Sequence, residues 1–296
     1  MDIYAAVTDR IIAELENGII PWNKPWTGVT TGAIRRSNGK PYSLINQFLL
    51  GKPGEYLTFK QCQEEGGKIK KGAKAKMVVF WKVLSKEKKD ANGNIVRDSN
   101  GLPIAEEIPM LRYFNVFHID DCEGIEPKYT AENPPATATA VEQAETIIAD
   151  YAARAALKIE HSRQDEAFYS PRRHLVSLPL MEQFEDSAGY YETAFHELTH
   201  STGHKTLLNR FADGDGAAAF GSESYSKEEL VAEIGACGIL HELGIETAKS
   251  FRNNAAYIQN WLSALKNDKR LIVSAAGRAE KAIRLILGTN AELVEE

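Results

Sequence analysis

The chain has 296 residues, of which 43% are hydrophobic and 26% are charged, and this ordinary globular composition excludes a wholly disordered protein. No apolar run approaches the roughly 18 residues that a membrane span needs, and acidic residues interrupt the apolar N-terminal positions. We therefore expect neither a transmembrane helix nor a secretory signal. The three cysteines lie far apart in the sequence, which fits a cytoplasmic protein rather than a disulfide framework.

The net charge of −6 conceals an asymmetry along the chain. Residues 1–89 contain 16 Lys and Arg against 8 Asp and Glu, a net charge of +8, whereas residues 129–296 carry a net charge of −9. A basic front half on an acidic protein indicates that this half binds an anionic partner.

The front half has the pattern of a small α+β unit. Residues 3–16 place apolar side chains at helical spacing, and Gly18 follows as a stop signal. The further helices are predicted at 43–50 and 59–66, and the strands at 55–58, 77–84 and 110–116. Two Asn-Gly pairs between the last two strands predict an exposed hairpin tip.

A proline-rich stretch divides the chain. Residues 126–140 lack hydrophobic periodicity and contain Pro127, Pro134 and Pro135, so we predict a linker between a domain at 1–125 and a domain at 141–296. In the back half, strands are predicted at 157–160, 167–170 and 174–178, and helices from 141 and at 189–203, 226–243, 247–267 and 270–287. Strands followed by helices again indicate an α+β fold.

The sharpest motif is His196-Glu197-Leu198-Thr199-His200, an H-E-x-x-H sequence. Residues four apart lie on one face of a helix, so both imidazoles can bind one metal ion while Glu197 projects beside it. Two neutral imidazoles suit Zn²⁺, although another divalent ion such as Mn²⁺ is an alternative. Such an ion acidifies a water molecule, and Glu197 is the candidate base that accepts its proton.

The third metal ligand must come from elsewhere in the sequence. His204 follows His200 by one helical turn, but this spacing lacks the extension that carries the third histidine in metzincins. The helix predicted at 226–243 offers Glu229 and Glu233, one turn apart, although acidic residues on a helix also occur as a plain solvated face.

This second helix resembles the E-x-x-x-D/E helix of the thermolysin-like gluzincins, in which the first acid binds zinc and the second holds a ligand histidine. The resemblance implies that Glu229 is the third ligand, with His196 and His200. It also implies that Glu233 orients a ligand histidine, which we expect to be His196.

The sequence leaves several candidates for the residue that would stabilise an oxyanion. The candidates are Tyr190, Tyr191, His204, Tyr225 and His241. The strand at 174–179 is a second open question, because it is either a sheet edge that pairs with an extended peptide substrate or an ordinary strand.

The basic front half interleaves lysines with aromatic residues, the pattern by which proteins hold single-stranded nucleic acid without reading its sequence. A solvated lysine face over a core that contains the tryptophans is the alternative. The candidate nucleic-acid-binding residues are Trp22, Lys24, Trp26, Arg35, Arg36, Lys40, Tyr42, Lys68, Lys70, Lys71, Lys74 and Lys76.

Both halves resemble one family in the expected order. Pro21-Trp22-x-x-Pro25-Trp26, Gly39-Lys40-x-Tyr42 and Thr58-Phe59-x-Gln61 are similar to the N-terminal domain of ArdC-type antirestriction proteins, which plasmid primases share. The back half, from Leu178-Pro179 through the H-E-x-x-H motif to Leu208-Asn209-Arg210, is similar to the zincin-like metallopeptidase domain of the same family.

The resemblance implies a protein of a plasmid or other mobile element that binds single-stranded DNA and protects incoming DNA from host restriction. It also implies a zinc-dependent metallopeptidase that acts on a protein substrate, such as a host restriction or defence protein. The alternative is a non-proteolytic protein that shields single-stranded DNA and whose metal site is structural.

Overall fold

The computed structural model describes residues 2–23, 32–129, 139–211, 223–245 and 255–289 and has the mixed helix-and-sheet fold that the sequence predicts. The front half contains α1 (Ile3–Glu16), β1 (Ala33–Arg35), α2 (Leu44–Leu50), β2 (Gly54–Leu57), α3 (Phe59–Glu64), β3 (Lys68–Ile69), β4 (Lys76–Glu87), β5 (Ala105–His118) and β6 (Cys122–Glu123). The back half contains α4 (Ala140–Ala155), β7 (Lys158–Ser162), β8 (Phe168–Ser170), β9 (Leu175–Pro179), α5 (Ser187–Ser201), α6 (Glu223–Leu243), α7 (Ala255–Asn267) and α8 (Leu271–Leu287). None of the helices in the described ranges is long and apolar enough to cross a membrane.

Strands β4 and β5 form the long hairpin predicted from the sequence. They pair antiparallel from Lys76 opposite Val116 to Glu87 opposite Ala105. The tip beyond them contains two tight turns rather than one, because each Asn-Gly pair supplies a glycine with positive φ, 85° at Gly93 and 79° at Gly101.

The strands belong to three small sheets. The front sheet has the order β1-β2-β5-β4, β3 pairs with β6, and the back sheet has the order β7-β9-β8. Strand β9 is therefore central and buried along its whole length. The prediction that residues 174–179 could form an edge for a peptide substrate is wrong, because β7 and β8 already occupy both sides of that strand.

One hydrophobic core joins the two halves of the chain. Helix α1 buries Val7 and Ile11 at helical spacing, and both side chains belong to the same cluster as Leu265 of α7 and Ile283 of α8. Burying an aliphatic side chain contributes about 1.5–3 kcal/mol, so this shared cluster stabilises both halves together. The predicted boundary at 126–140 thus does not divide the core; of that stretch, 130–138 lie outside the described residues.

Polar contacts reinforce this junction. Lys266 Nζ lies 2.8 Å from Glu16 Oε1, and the backbone N–H of Leu44 donates to Glu280 Oε2 at 2.9 Å, which satisfies the first turn of α2 with a carboxylate from α8. These contacts join α1 and α2 of the front half to α7 and α8 of the back half.

Candidate metal centre

Helix α5 carries the H-E-x-x-H motif in its last two turns. Its first turn is capped by Asp186, whose side chain accepts a hydrogen bond from the backbone N–H of Gly189 at 2.8 Å. The four-residue spacing places the two imidazoles on one face, and the Nε2 atoms of His196 and His200 are 3.0 Å apart.

Helix α6 places a third potential metal ligand, Glu229, beside these imidazoles. Glu229 Oε1 lies 3.2 Å from His200 Nε2, and Glu229 Oε2 lies 3.5 Å from His196 Nε2. One donor atom from each of these residues lies within 4.8 Å of the others, and no other such group of three occurs in the part of the chain that the structure describes. Because ligands bind one zinc ion at about 2.0–2.2 Å, three donors this close can share a divalent metal ion.

A glycine allows α6 to approach α5 closely enough for this arrangement. A Cβ atom at Gly235 would lie 2.5 Å from Cγ2 of Thr199, which is itself fully buried between the two ligand histidines. A side chain at 235 would therefore require the packing of α6 against α5 to shift at Thr199.

Two further carboxylates of α6 face the outer nitrogens of the ligand histidines. Glu233 Oε2 lies 4.0 Å from His196 Nδ1, which is the neighbour that the gluzincin resemblance implies for it. Glu228 Oε1 lies 3.5 Å from His200 Nδ1, and Arg210 Nε donates to Glu228 Oε2 at 3.1 Å. Carboxylates at these positions fix the orientation and tautomer of a ligand histidine.

Glu228 is not among the site residues predicted from the sequence. The sequence near Glu228 points to this residue only through its position next to Glu229, because its ion-pair partner Arg210 lies 18 residues earlier in the chain. The segment after α5 folds back so that Arg210 reaches both α6 and the end of α5. Arg210 Nη1 donates to Thr202 Oγ1 at 2.6 Å, and the same guanidinium forms the ion pair with Glu228.

The electrostatics of the cluster favour a cation. Burial lowers the pKa of His200, but hydrogen bonds to Glu228 and Glu229 outweigh burial and raise that pKa to about 10. Burial raises the pKa of Glu229, yet hydrogen bonds from His196 and His200 hold it far below its ordinary value. The carboxylates are thus ionised beside a proton-bearing imidazole, and a divalent ion would take the place of that proton.

Glu197 lies between the two ligand histidines on α5 and is 6% exposed. Its negative charge contributes to the raised pKa of His200, which places its carboxylate within electrostatic reach of the metal-ligand cluster. A buried carboxylate in a metal-binding motif is a candidate general base.

The tyrosine candidates for oxyanion stabilisation are engaged in packing and hydrogen bonds. Tyr190 Oη lies 2.8 Å from His161 Nε2, and Tyr191 Oη donates to Glu145 Oε1 at 2.8 Å. The side chain of Tyr225 lies outside the described residues. These contacts give Tyr190 and Tyr191 structural roles.

Neither remaining histidine candidate joins the metal-ligand cluster. The ring of His204 stacks on that of His174 at a centroid distance of 4.1 Å, and its Nδ1 lies 2.8 Å from Thr206 Oγ1. His204 is absent from the group of His196, His200 and Glu229 that the described residues form. Burial lowers the pKa of His241 to about 4, so this side chain is neutral at pH 7.

Five of the predicted nucleic-acid-binding residues are exposed basic side chains, namely Lys40, Lys68, Lys70, Lys71 and Lys74. Arg35 and Lys76 are half-buried, at the ends of β1 and β4 that lie in the front sheet. Lys24 and Trp26 lie outside the described residues.

Three predicted nucleic-acid-binding residues are instead part of the fold. Trp22 is 1% exposed and packs edge-on against Trp261 at a ring distance of 5.2 Å. Arg36 is 3% exposed and forms a buried ion pair with Glu55. Tyr42 is 8% exposed. We withdraw these three residues from the interface, because a buried side chain cannot stack on a base or neutralise a phosphate.

Comparison with known proteins agrees with both halves of this arrangement. Residues 1–117 match the family described as the N-terminal domain of anti-restriction factor ArdC, and residues 142–278 match a family of zincin-like metallopeptidases. The fold is similar to the crystal structure of the antirestriction ArdC protein from plasmid R388 with Mn(II) bound, with a TM-score of 0.71 and 33% identity over 99% of this chain and 100% of the other. The metal-free structure of that protein gives a TM-score of 0.72 and 35% identity over the same shares of the two chains.

The chain belongs to the ArdC antirestriction family. The resemblance inferred from the sequence is thereby confirmed, as is the combination of an ArdC-type N-terminal part with a zincin-like part. A zincin-like fold and a Mn(II)-bound relative agree with a divalent metal at the cluster of two histidines and one glutamate.

Members of much greater length share this region. Two proteins of Escherichia coli called DNA primase TraC are 35% identical to the chain over 303 and 305 residues, which is 98% and 99% of the chain. The chain spans only 27% and 20% of the length of those primases. A region similar to this chain is thus found within longer proteins as well as in the R388 protein.

Proposed function

We propose that this protein binds single-stranded DNA through its basic front half and protects incoming DNA from host restriction with a hydrolytic, peptidase-type site in its back half. The observation that carries the proposal is the convergence of His196, His200 and Glu229 within 4.8 Å, with the buried carboxylate of Glu197 between the two histidines in sequence. A purely structural metal site has no use for such a carboxylate.

The donor set fits Zn²⁺ and also accommodates Mn²⁺, because both ions accept imidazole and carboxylate ligands. His196, His200 and Glu229 would hold the divalent ion, which would supply Lewis-acid polarisation of a scissile carbonyl and lower the pKa of a water molecule. Glu197 accepts the proton of the attacking water and passes it to the leaving amine. Glu233 and Glu228, at 4.0 Å and 3.5 Å from the Nδ1 atoms of His196 and His200, would orient the two imidazoles toward the ion.

The front half supports binding to DNA through charge. The exposed lysines at 68, 70, 71 and 74 follow one another within seven residues and immediately precede strand β4. Lysines neutralise phosphates irrespective of sequence, which suits a protein that must act on any DNA entering the cell. We place this activity in the cytoplasm of a conjugation recipient, where incoming DNA meets restriction enzymes.

Peptidase activity is tested by searching for new protein N-termini. Extract of a restriction-proficient host is incubated with the full-length protein in Zn²⁺ or Mn²⁺, and N-terminal peptides are labelled and identified by mass spectrometry. We expect cleavages with the wild-type protein that disappear in Glu197→Gln and on addition of a chelator. Identical N-termini with wild type and Glu197→Gln would contradict proteolysis and leave shielding of single-stranded DNA as the function.

A further inference from the structure

The outer part of the β4–β5 hairpin carries aromatic and basic side chains on one face. In the antiparallel pairing, Phe80 lies opposite Arg112, Val78 opposite Phe114, and Lys82 opposite Met110. Residues that lie opposite each other in a pair of strands project to the same face of the sheet. Phe80, Lys82, Arg112 and Phe114 therefore share one face, which we call the platform.

The ring geometry agrees with this register. Phe80 and Phe114 stack with a centroid distance of 4.7 Å and an interplanar angle of 7°. Phe80 is half-buried, whereas Phe114 is 55% exposed and forms the outer ring of the stack. Arg112 and Lys82 are exposed beside them. An aromatic ring thus faces solvent, with two cationic side chains beside it on the side of the hairpin tip.

The opposite face of the same hairpin has a structural role. Val79 and Leu111 project from it into the main core, and Trp81 packs near Tyr4 of α1 with a ring distance of 6.3 Å. The core thus accounts for Val79 and Leu111, whereas Trp81 and Tyr113 on the same face are 46% and 42% exposed. The core does not account for Phe114 on the platform side, where exposing a large apolar ring to water is unfavourable.

Charge also differs between the two faces of β4 and β5. On the platform side, the basic residues are Lys76, Lys82, Lys86 and Arg112. Glu106 is the one acidic residue that the register places among them, whereas the opposite face of these two strands carries Glu87 and Glu107 and no basic residue. The platform side is therefore complementary to an anion.

The platform is continuous with the basic residues identified from the sequence. The exposed lysines at 70, 71 and 74 lead directly into Lys76 at the start of β4. Across the sheet, Arg35 pairs with Tyr56 and Tyr56 pairs with His118, which places Arg35 on the same face as Phe114. This face of the front sheet thus carries Arg35, the buried cluster that contains Tyr56, Val78 and Val116, and the exposed aromatic stack.

We propose that the platform is the surface on which bases of single-stranded DNA stack, with Phe114 as the contacting ring and Arg112 and Lys82 on the flanking phosphates. This inference rests on the proposed DNA-binding function and assigns the residues that carry it. Stacking needs a base whose face is free, so the platform distinguishes a single strand from a duplex. It is tolerant of sequence, because every base has an aromatic face.

The experiment uses the full-length protein and three fluorescent probes of about 20 nucleotides: oligo(dT), a duplex, and a strand of abasic sites that keeps the phosphates but has no bases. We expect Phe114→Ala to weaken oligo(dT) binding about 5- to 150-fold, the range of base–aromatic stacking, and to leave binding of the abasic strand unchanged. Phe114→Trp should restore oligo(dT) binding. Arg112→Ala should weaken both single-stranded probes and lower the log–log salt slope by about 0.7.

Tyr113→Ala is the matched control. Tyr113 is adjacent to Phe114 and 42% exposed, but it pairs with Val79 and so projects from the opposite face. We expect this variant to bind oligo(dT) as wild type does. Thermal unfolding of each variant, measured beside binding, separates loss of the platform from loss of the fold.

The proposal that DNA bases stack on the platform is wrong if folded Phe114→Ala binds oligo(dT) like wild type or if Tyr113→Ala weakens binding equally. It is also wrong if Phe114→Ala weakens binding of the abasic strand as much as binding of oligo(dT). A change in oligomeric mass without a change in DNA binding would assign Phe114 to a contact between copies instead. Failure of the wild-type protein to bind oligo(dT) would overturn the proposed DNA-binding function itself, a result distinct from failure of the platform alone.

Discussion

At the scale of single residues, we propose Glu229 rather than His204 as the third metal ligand. Glu229 lies within 3.5 Å of both ligand imidazoles, whereas His204 stacks on His174. We expect purified wild-type protein to hold about one divalent ion per chain by elemental mass spectrometry, with Glu229→Gln much reduced because a neutral amide replaces a charged ligand. His196→Ala and His200→Ala should also lose the ion.

His204→Ala is the control for this prediction. It removes an imidazole one turn beyond His200 without touching the three proposed ligands, so metal content should be retained. Full metal content in Glu229→Gln together with loss in His204→Ala would reverse the ligand assignment.

The residues of the site differ in how far the sequence alone revealed them. The H-E-x-x-H spacing is local, so helical geometry by itself predicted the pair His196 and His200. Burial of Trp22 depends on Trp261, more than 230 residues further along the chain, and this packing leaves no mark in the residues near Trp22. The sequence around Arg36 likewise gives no sign of its buried ion pair, because its partner Glu55 lies 19 residues further along the chain.

At the scale of elements, the close approach of α5 and α6 is predicted to set metal affinity. Gly235→Ala places a methyl group 2.5 Å from the buried Thr199 Cγ2, so the packing of α6 against α5 must shift at Thr199 and is expected to displace Glu229 from the imidazoles. We expect weaker metal binding in a competition titration with a chromophoric chelator, even though alanine favours the helix by about 1 kcal/mol over glycine.

Gly238→Ala is the matched variant on the same helix. Its added Cβ would meet the side chain of Ile283, with Cδ1 at 2.5 Å and Cγ1 at 3.5 Å, and only the terminal methyl group of that side chain has to move. We expect metal affinity near that of wild type. Equal affinities for the two variants would mean that the α5–α6 distance does not control the site.

The loop that leads into β4 is predicted to contribute phosphate contacts. Replacing Lys68, Lys70 and Lys71 together by alanine should lower the log–log salt slope of single-strand binding by roughly two units, at about 0.7 per phosphate contact. The measurement is fluorescence anisotropy of the full-length protein with oligo(dT) over a salt series. An unchanged slope would assign these lysines to a solvated face.

Local patterns predicted most elements because their causes are local. Apolar residues at helical spacing marked α1, and the Asn-Gly pairs marked the hairpin tip. The order of strands is not local: β9 is central only because β7 and β8, from other parts of the sequence, pair with its two sides. The short strands β3 and β6 were missed, since two residues carry no periodicity.

At the scale of the whole molecule, the shared core predicts that the two halves depend on each other. A fragment of residues 1–128 would expose the side chains of α1 that now pack against α7 and α8, including Ile11, which is fully buried in the intact chain. We expect this fragment to aggregate or to unfold at lower temperature than the intact protein, as measured by light scattering and circular dichroism.

The intact chain should unfold in one transition, with tryptophan fluorescence and far-ultraviolet circular dichroism giving the same midpoint. Two separated transitions, together with a stable and soluble 1–128 fragment, would show that the halves are independent domains joined at the predicted linker. DNA-binding variants are accordingly best compared in the full-length protein.

The central claim is that protection of incoming DNA depends on a hydrolytic metal site whose base is Glu197. The direct measurement is the efficiency of plasmid transfer into a restricting recipient, relative to a non-restricting one, with wild type, Glu197→Gln and His196→Ala supplied at equal protein levels. Glu197 is not a proposed ligand, so Glu197→Gln should keep its metal and its affinity for single-stranded DNA. As a general base, it should contribute on the order of 10²–10⁴-fold to hydrolysis. We expect Glu197→Gln to lose protection as fully as His196→Ala does; full protection by a metal-loaded Glu197→Gln variant would contradict the account.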